Sequence, residues 1–122
     1  MVQLRSIIKP ADNTGARLIQ VIHVYRGSFH KKAGIGDTIL GVVKDAIPNG
    51  MIKKKEKVKM VIVRTKKEIR RTDGSYIRFS DNAGVVIDSQ KNPRGTRIFG
   101  PIAREIKDLG FNKIASMAKE VY

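Results

Sequence analysis

The chain has 122 residues, 41% of them hydrophobic, which suits one folded domain with a single core. Twenty-five Lys and Arg against eleven Asp and Glu leave a net charge of +14, which calls for a polyanionic partner: nucleic acid first, an anionic membrane surface second. Cys is absent, so disulfides and thiolate zinc sites are excluded.

The N-terminal stretch has no long apolar run, and no segment approaches a bilayer span, so a soluble protein without a secretory address is expected. A short apolar piece from Leu4 to Ile8 is closed by Pro10. Asp12-Asn13-Thr14-Gly15 then reads as a turn, since these residues bond their own backbone or accept left-handed geometry. Arg17 to Tyr25 follows as a strand, with Leu18, Gln20, Ile22 and Val24 on one face and Arg17, Ile19, Val21, His23 and Tyr25 on the other. Apolar groups on both faces predict a strand entering a closed barrel whose outside is covered by a loop or helix.

Arg26 to Asp37 is a cationic, Gly-rich connection, read as a projecting loop or loose ribbon. Its Gly34-Ile35-Gly36 is no dinucleotide fingerprint, because Thr38 to Val43 continues as a strand and not a helix. Ile47-Pro48-Asn49-Gly50 is a turn, followed by the lysine-rich Met51 to Lys57. The β-branched run Lys57 to Arg64 predicts a strand buried on at least one face. Thr65 to Thr72 carries almost nothing that could join a core, and Asp73-Gly74 turns the chain. Ser75 to Phe79 returns as a strand, Asp81 to Gly84 turns again, and Val85 to Ile87 makes another strand. From Lys53 through Arg71 ten cations stand against two anions, a net +8, which predicts a patch and not an evenly dressed surface.

Asp88 to Arg97 is a polar loop, and Ile98-Phe99-Gly100-Pro101 places an apolar pair beside a bend. Ala103 to Leu109 reads as a short helix with Ile102, Ile106 and Leu109 on one side, begun near Pro101 and ended by Gly110. Asn112 is placed to cap a second short helix carrying Ile114, Met117 and Ala118 on one face. The predicted fold is mainly β: a compact five-stranded barrel over about residues 1–100, with two short C-terminal α-helices over about 101–122 and projecting basic loops, all in one domain.

Enzyme chemistry finds no support. His23 and His30 have no Cys or clustered carboxylates to complete a metal site, the Asp residues sit at turns or strand ends, and no Walker loop, nucleophile elbow or zincin motif is present. No cofactor and no small-molecule substrate are expected. Lysines at 53–57, 66 and 67, with Arg70 and Arg71, suit mobile phosphate contacts, whereas Arg64, Arg78, Arg94, Arg97 and Arg104 suit positioned, bidentate ones. Tyr76 shares a face with Arg78 and is the candidate for base stacking, against core or cross-strand packing; Ile77 and Phe79 are expected in the core. Phe29, in a basic loop, suits either a wedge into a partner or a cover for the barrel.

Four segments carry a family resemblance: Asp12-Asn13-Thr14-Gly15-Ala16-Arg17, Val61-Ile62-Val63-Arg64-Thr65-Lys66, Asp73-Gly74-Ser75-Tyr76-Ile77-Arg78-Phe79, and Pro93-Arg94-Gly95-Thr96-Arg97-Ile98-Phe99-Gly100-Pro101-Ile102-Ala103-Arg104-Glu105. In register and over essentially the whole chain, they resemble the universal large-subunit ribosomal protein fourteen family in its bacterial form. The resemblance implies a β-barrel with a helical C-terminal part, bound to large-subunit rRNA beside large-subunit proteins three and nineteen, and helping to bridge to small-subunit rRNA. The candidate rRNA contacts are then Arg26, Lys31, Lys32, Lys53, Lys54, Lys55, Arg64, Lys66, Lys67, Arg70, Arg71, Arg78, Arg94 and Arg104. A docking surface for a ribosome-silencing factor is implied at Thr96, Arg97 and Lys113. The implied location is the ribosome, in a bacterial cytoplasm or an organelle matrix or stroma. Lys55 and Glu68 stand where the family commonly has Gly, and Thr72 and Lys119 where it commonly has Pro; Lys and Glu resist positive φ. The alternatives are a free oligonucleotide-binding barrel or translation factor, and a basic barrel on an anionic membrane, the latter lacking an amphipathic basic helix.

Overall fold

The computed structural model describes residues 2–25 and 32–122. The strands are β1 (Val2–Gln3), β2 (Ile7–Pro10), β3 (Ala16–Val24), β4 (Lys32–Ala33), β5 (Thr38–Ala46), β6 (Lys57–Arg64), β7 (Ile69–Arg70), β8 (Tyr76–Ile77) and β9 (Ala83–Ile87), followed by helices α1 (Glu105–Asp108) and α2 (Asn112–Met117). Five of them close a barrel in the order β2-β3-β5-β6-β9. All neighbours are antiparallel except at the closure, where β2 runs parallel to β9 with Lys9 opposite Ala83 and Pro10 opposite Gly84. Closure satisfies the backbone groups that an edge strand would leave unpaired.

Alternation along β6 and β9 splits the apolar side chains into two layers. Val58, Met60, Ile62 and Val86 point into the barrel with Ile8, Ile19, Val21, Ile39 and Val43. Val61, Val63, Ala83, Val85 and Ile87 point outward, beneath Ile98, Ile102, Ile106, Phe111 and Ile114 of the C-terminal segment. β6 is thus buried on both faces because that segment lies across it, pinned by the Ala103 N–H donating to the Val63 carbonyl at 3.4 Å.

On β3 the observed pattern departs from simple alternation. Ala16, Ile19, Val21 and Val24 are buried, and the register against β5 shifts between Ala16 and Leu18, Leu18 and Ile19, and Val21 and His23. Each irregularity re-aims the side chains beyond it. Ile22 is exposed, so the expected cover lies over β6 and β9 and not over all of β3. Gly41 of β5 lies so close to β3 that an added Cβ would clash with Ile19 Cγ2.

The segment from 65 to 82 differs most from expectation. Ile69 and Arg70, in the stretch read as a wet turn, pair with Ile77 and Tyr76 to form a two-stranded ribbon. Arg71 N–H donates to the Ser75 carbonyl at 2.8 Å, and Asp73 Oδ1 accepts from the Ser75 N–H and hydroxyl, closing its turn. The ribbon stands off the barrel: Ile77 and Phe79 are half-buried and belong to neither core layer, and Tyr76 is 65% exposed. Ala83 and Gly84, read as a turn, belong to β9.

At the C-terminus the two short helices are present, with shifted ends. α1 begins at Glu105, and Gly110 at φ 95° follows its C-cap Leu109, which is exposed and not on the packed face. Asn112 is the first helical residue of α2, and Phe111 stands at the N-cap with no side-chain hydrogen bond. Phe111 is buried there, trading a polar cap for apolar contact.

Candidate nucleic-acid interface

Strand β6 decides where the charge goes. Lys57 opens it and Arg64 ends it, and seven steps of ~3.3 Å set its ends about 23 Å apart. The cations that are adjacent in sequence therefore form two groups on opposite ends of the barrel, which corrects the expectation of one central patch.

At the first end, the 12–15 turn, the 47–56 loop and the 88–97 loop meet. The Ile47 N–H donates to the Gly15 carbonyl at 2.9 Å and the Met51 N–H to the Thr14 carbonyl at 3.0 Å. Lys53, Lys54 and Lys55 are exposed around an open cleft of about 450 Å³ completed by Met51 and Glu56. Glu56 organises this loop: one carboxylate oxygen accepts the Lys53 N–H at 3.1 Å and the other lies 3.5 Å from Arg94 Nη1. Lys55 has φ 72°, a conformation suited to Gly, while its N–H donates to the Val43 carbonyl at 2.7 Å; neither Glu68 nor Thr72 shares that geometry.

The same end holds the turn from Asp12 to Gly15 rigidly. Buried Asp12 accepts from the Thr14 hydroxyl at 2.8 Å and the Val86 N–H at 3.0 Å. Burial pushes its carboxyl above the ordinary carboxylate value, against the opposing pull of those hydrogen bonds. Asn13 Oδ1 accepts from the Thr96 and Arg97 N–H groups at 2.8 and 3.1 Å, and its amide donates to the Thr96 hydroxyl at 2.7 Å. Thr96 and Arg97 are exposed on a loop that this one side chain shapes, and Lys113 is exposed on α2.

The second end carries the ribbon. Lys66, Lys67, Arg70 and Arg78 are exposed, and Asn82 fixes the ribbon's root by accepting the Lys66 N–H at 2.9 Å. Lys67 pairs loosely with Glu68 at 4.0 Å. Arg71 turns back to α1, its Nε 2.6 Å from Glu105 Oε1. With Arg70 and Arg104 it lines a cleft of about 400 Å³ in which Asp73, Glu105 and Asp108 face the three cations. The Asp73 carboxyl is held below its usual value by its bonds to Ser75 and, more weakly, by Arg104 and Arg71. Lys32 is exposed on β4. Arg26 and Lys31, with Phe29 and His30, lie outside the described residues.

Arg64 departs from the expectation of an outward phosphate contact. It is 9% exposed, its Nε and Nη2 meet the Asp81 carboxylate at 2.9 and 3.3 Å, and its Nη1 donates to the Phe99 and Pro101 carbonyls at 2.8 and 3.1 Å. At the end of β6 the bent Ile98–Pro101 segment presents two carbonyls, and the guanidinium fork bridges them to Asp81. Its work in this structure is to hold the C-terminal segment to the barrel.

Sequence reasoning passed over Tyr122, which joins Arg71, Tyr76, Ile77, Arg78 and Phe79 around a cleft of about 480 Å³. Nothing local marks it, because the Ile102–Val121 bridge that brings it there is a long-range contact.

The whole chain, residues 1–122, matches the family described as ribosomal protein L14p/L23e. The large ribosomal subunit protein uL14 of Petrotoga mobilis (strain DSM 10674 / SJ95) is 58% identical over 123 residues, covering all of both chains. The chain belongs to the L14p/L23e family. It is therefore a ribosomal protein, and the five-stranded barrel with two short C-terminal helices is the form this L14p/L23e member takes. Among the described residues no group of His, Asp and Glu is placed to hold a metal ion, and no helix is long and apolar enough to cross a membrane.

Proposed function

We propose that this protein is a structural constituent of the large ribosomal subunit, bound to large-subunit rRNA in the cytoplasm, and that it performs no catalysis. The observation that carries the reading is a group of exposed cations at each end of a stiff, closed barrel, Lys53, Lys54, Lys55 and Arg97 at one and Lys66, Lys67, Arg70 and Arg78 at the other. A body of that kind joins RNA segments that fold apart in sequence, since phosphate contacts fix position while the shape of the RNA supplies specificity. With two cationic ends, one faces large-subunit rRNA and the other helps bridge to small-subunit rRNA. The resemblance adds large-subunit proteins three and nineteen as neighbours, and the exposed Thr96, Arg97 and Lys113 as the surface for a ribosome-silencing factor.

Salt titration of the full chain on large-subunit rRNA tests this. Replacing Lys53, Lys54 and Lys55 by Ala, and separately Lys66, Lys67, Arg70 and Arg78, each flattens the slope of log K against log salt by about 0.7–0.9 per lost phosphate contact. Unchanged slopes for both variants would overturn the reading. A free translation factor would instead wash from large subunits at moderate salt, where the structural protein stays bound.

A further inference from the structure

Tyr76 and Tyr122 are 65% and 56% exposed, and both line one open cleft. Single exposed aromatics need no explanation, but two around one concavity with cationic walls do. The cleft, about 480 Å³, is open to solvent along one side. We infer that it holds one unpaired nucleotide of the bound RNA, its base against the Tyr76 and Tyr122 rings and its phosphate at Arg78. The inference deepens the RNA-binding reading above and depends on it.

Two hydrogen bonds hold Tyr122. The Tyr122 N–H donates to the Ile102 carbonyl at 2.9 Å and its hydroxyl to Glu120 Oε2 at 2.6 Å, so the ring is tied at both its backbone and its edge. Tyr76 is held in register opposite Arg70 in the ribbon, and Ile77 and Phe79, both half-buried, line the same cleft. Of the two arginines, Arg71 is engaged by Glu105, whereas Arg78 is exposed and makes no ion pair with a described residue. Flat aromatic faces beside an available guanidinium match a base joined to a phosphate. Tyrosines lose little conformational freedom on binding, having only two side-chain torsions.

The test uses the full chain and two RNA hairpins of one sequence, each carrying 2-aminopurine, bulged in one and paired in the other. Expected is tighter binding of the bulged hairpin by roughly 5- to 150-fold, the factor that stacking of one base supplies, with quenching of the bulged fluorophore. Tyr122→Ala and Tyr76→Ala each remove most of that preference and the quenching while leaving the paired hairpin's affinity as it was, and Tyr122→Phe restores both. Equal, salt-dependent binding of the two hairpins would overturn the cleft and leave the RNA-binding reading standing. Loss of the preference in Tyr122→Phe as well would tie the effect to the Glu120 bond and overturn stacking as its cause. Binding of neither hairpin would overturn both readings.

Discussion

Replacing Arg64 by Met separates the two roles open to this side chain. The substitution keeps an unbranched apolar stem and deletes a guanidinium that makes two hydrogen bonds to carbonyls and two to Asp81. Bonds from a charged donor contribute roughly 1.5–3 kcal/mol each; the low end applies to the carbonyls of Phe99 and Pro101, which are near enough to solvent to regain water. The Asp81 side chain is 41% exposed, so screening limits that pair to about 0.5 kcal/mol. The total is a loss of about 3.5 kcal/mol, or a fall in melting temperature of about 14 °C for a domain of this size. The same loosening raises hydrogen exchange at the Ala103 N–H, which joins the C-terminal segment to β6. Thermal melts give the stability, and salt titration of the still-folded protein on rRNA gives a slope equal to the parent's. A variant with the parent's melting temperature and a slope flattened by about 0.7–0.9 would refute the reasoning and return Arg64 to the RNA face.

Lys55→Gly relieves a left-handed backbone at φ 72° and stabilises the isolated protein by about 0.5–1 kcal/mol in urea unfolding, after the greater freedom that Gly gives the unfolded chain is discounted. The carboxyl of Asp12 provides a pH test. Its folded-state value is raised above the ordinary 3.8, so ionisation disfavours the folded state above the raised value, and that penalty fades as pH falls towards 3.8. Compared with Asp12→Asn, which does not titrate, the parent protein gains stability between about pH 7 and about pH 4, measured as the difference in urea midpoints; a relative loss on acidification would contradict the assignment.

The barrel strands and the C-terminal helices were legible because their causes are local. The β-branched run of β6, the Asp12-Asn13-Thr14-Gly15 turn and the Gly110 stop each act within a few residues, and the motifs of the ribosomal family lie along the same stretches. The ribbon was less legible, since Ile69 and Ile77 pair above solvent and leave little trace in an apolar pattern. The bulges of β3 likewise break an alternation that composition alone presents as regular.

The amino-acid sequence by itself determined the strand-forming segments, the turns, the excess of positive charge and the family. Tertiary structure alone decided where that charge stands and which cations are available. Lys57 and Arg64 are near in the chain but at opposite ends of a strand, because an extended backbone gains ~3.3 Å with every residue. Arg64 is buried because Asp81, Phe99 and Pro101, distant in sequence, converge on it beneath the C-terminal segment; Tyr76 and Tyr122 line one cleft because the Ile102–Val121 pairing carries the chain end there. Contacts of that range depend on how the barrel closes, and no window of neighbouring residues contains them.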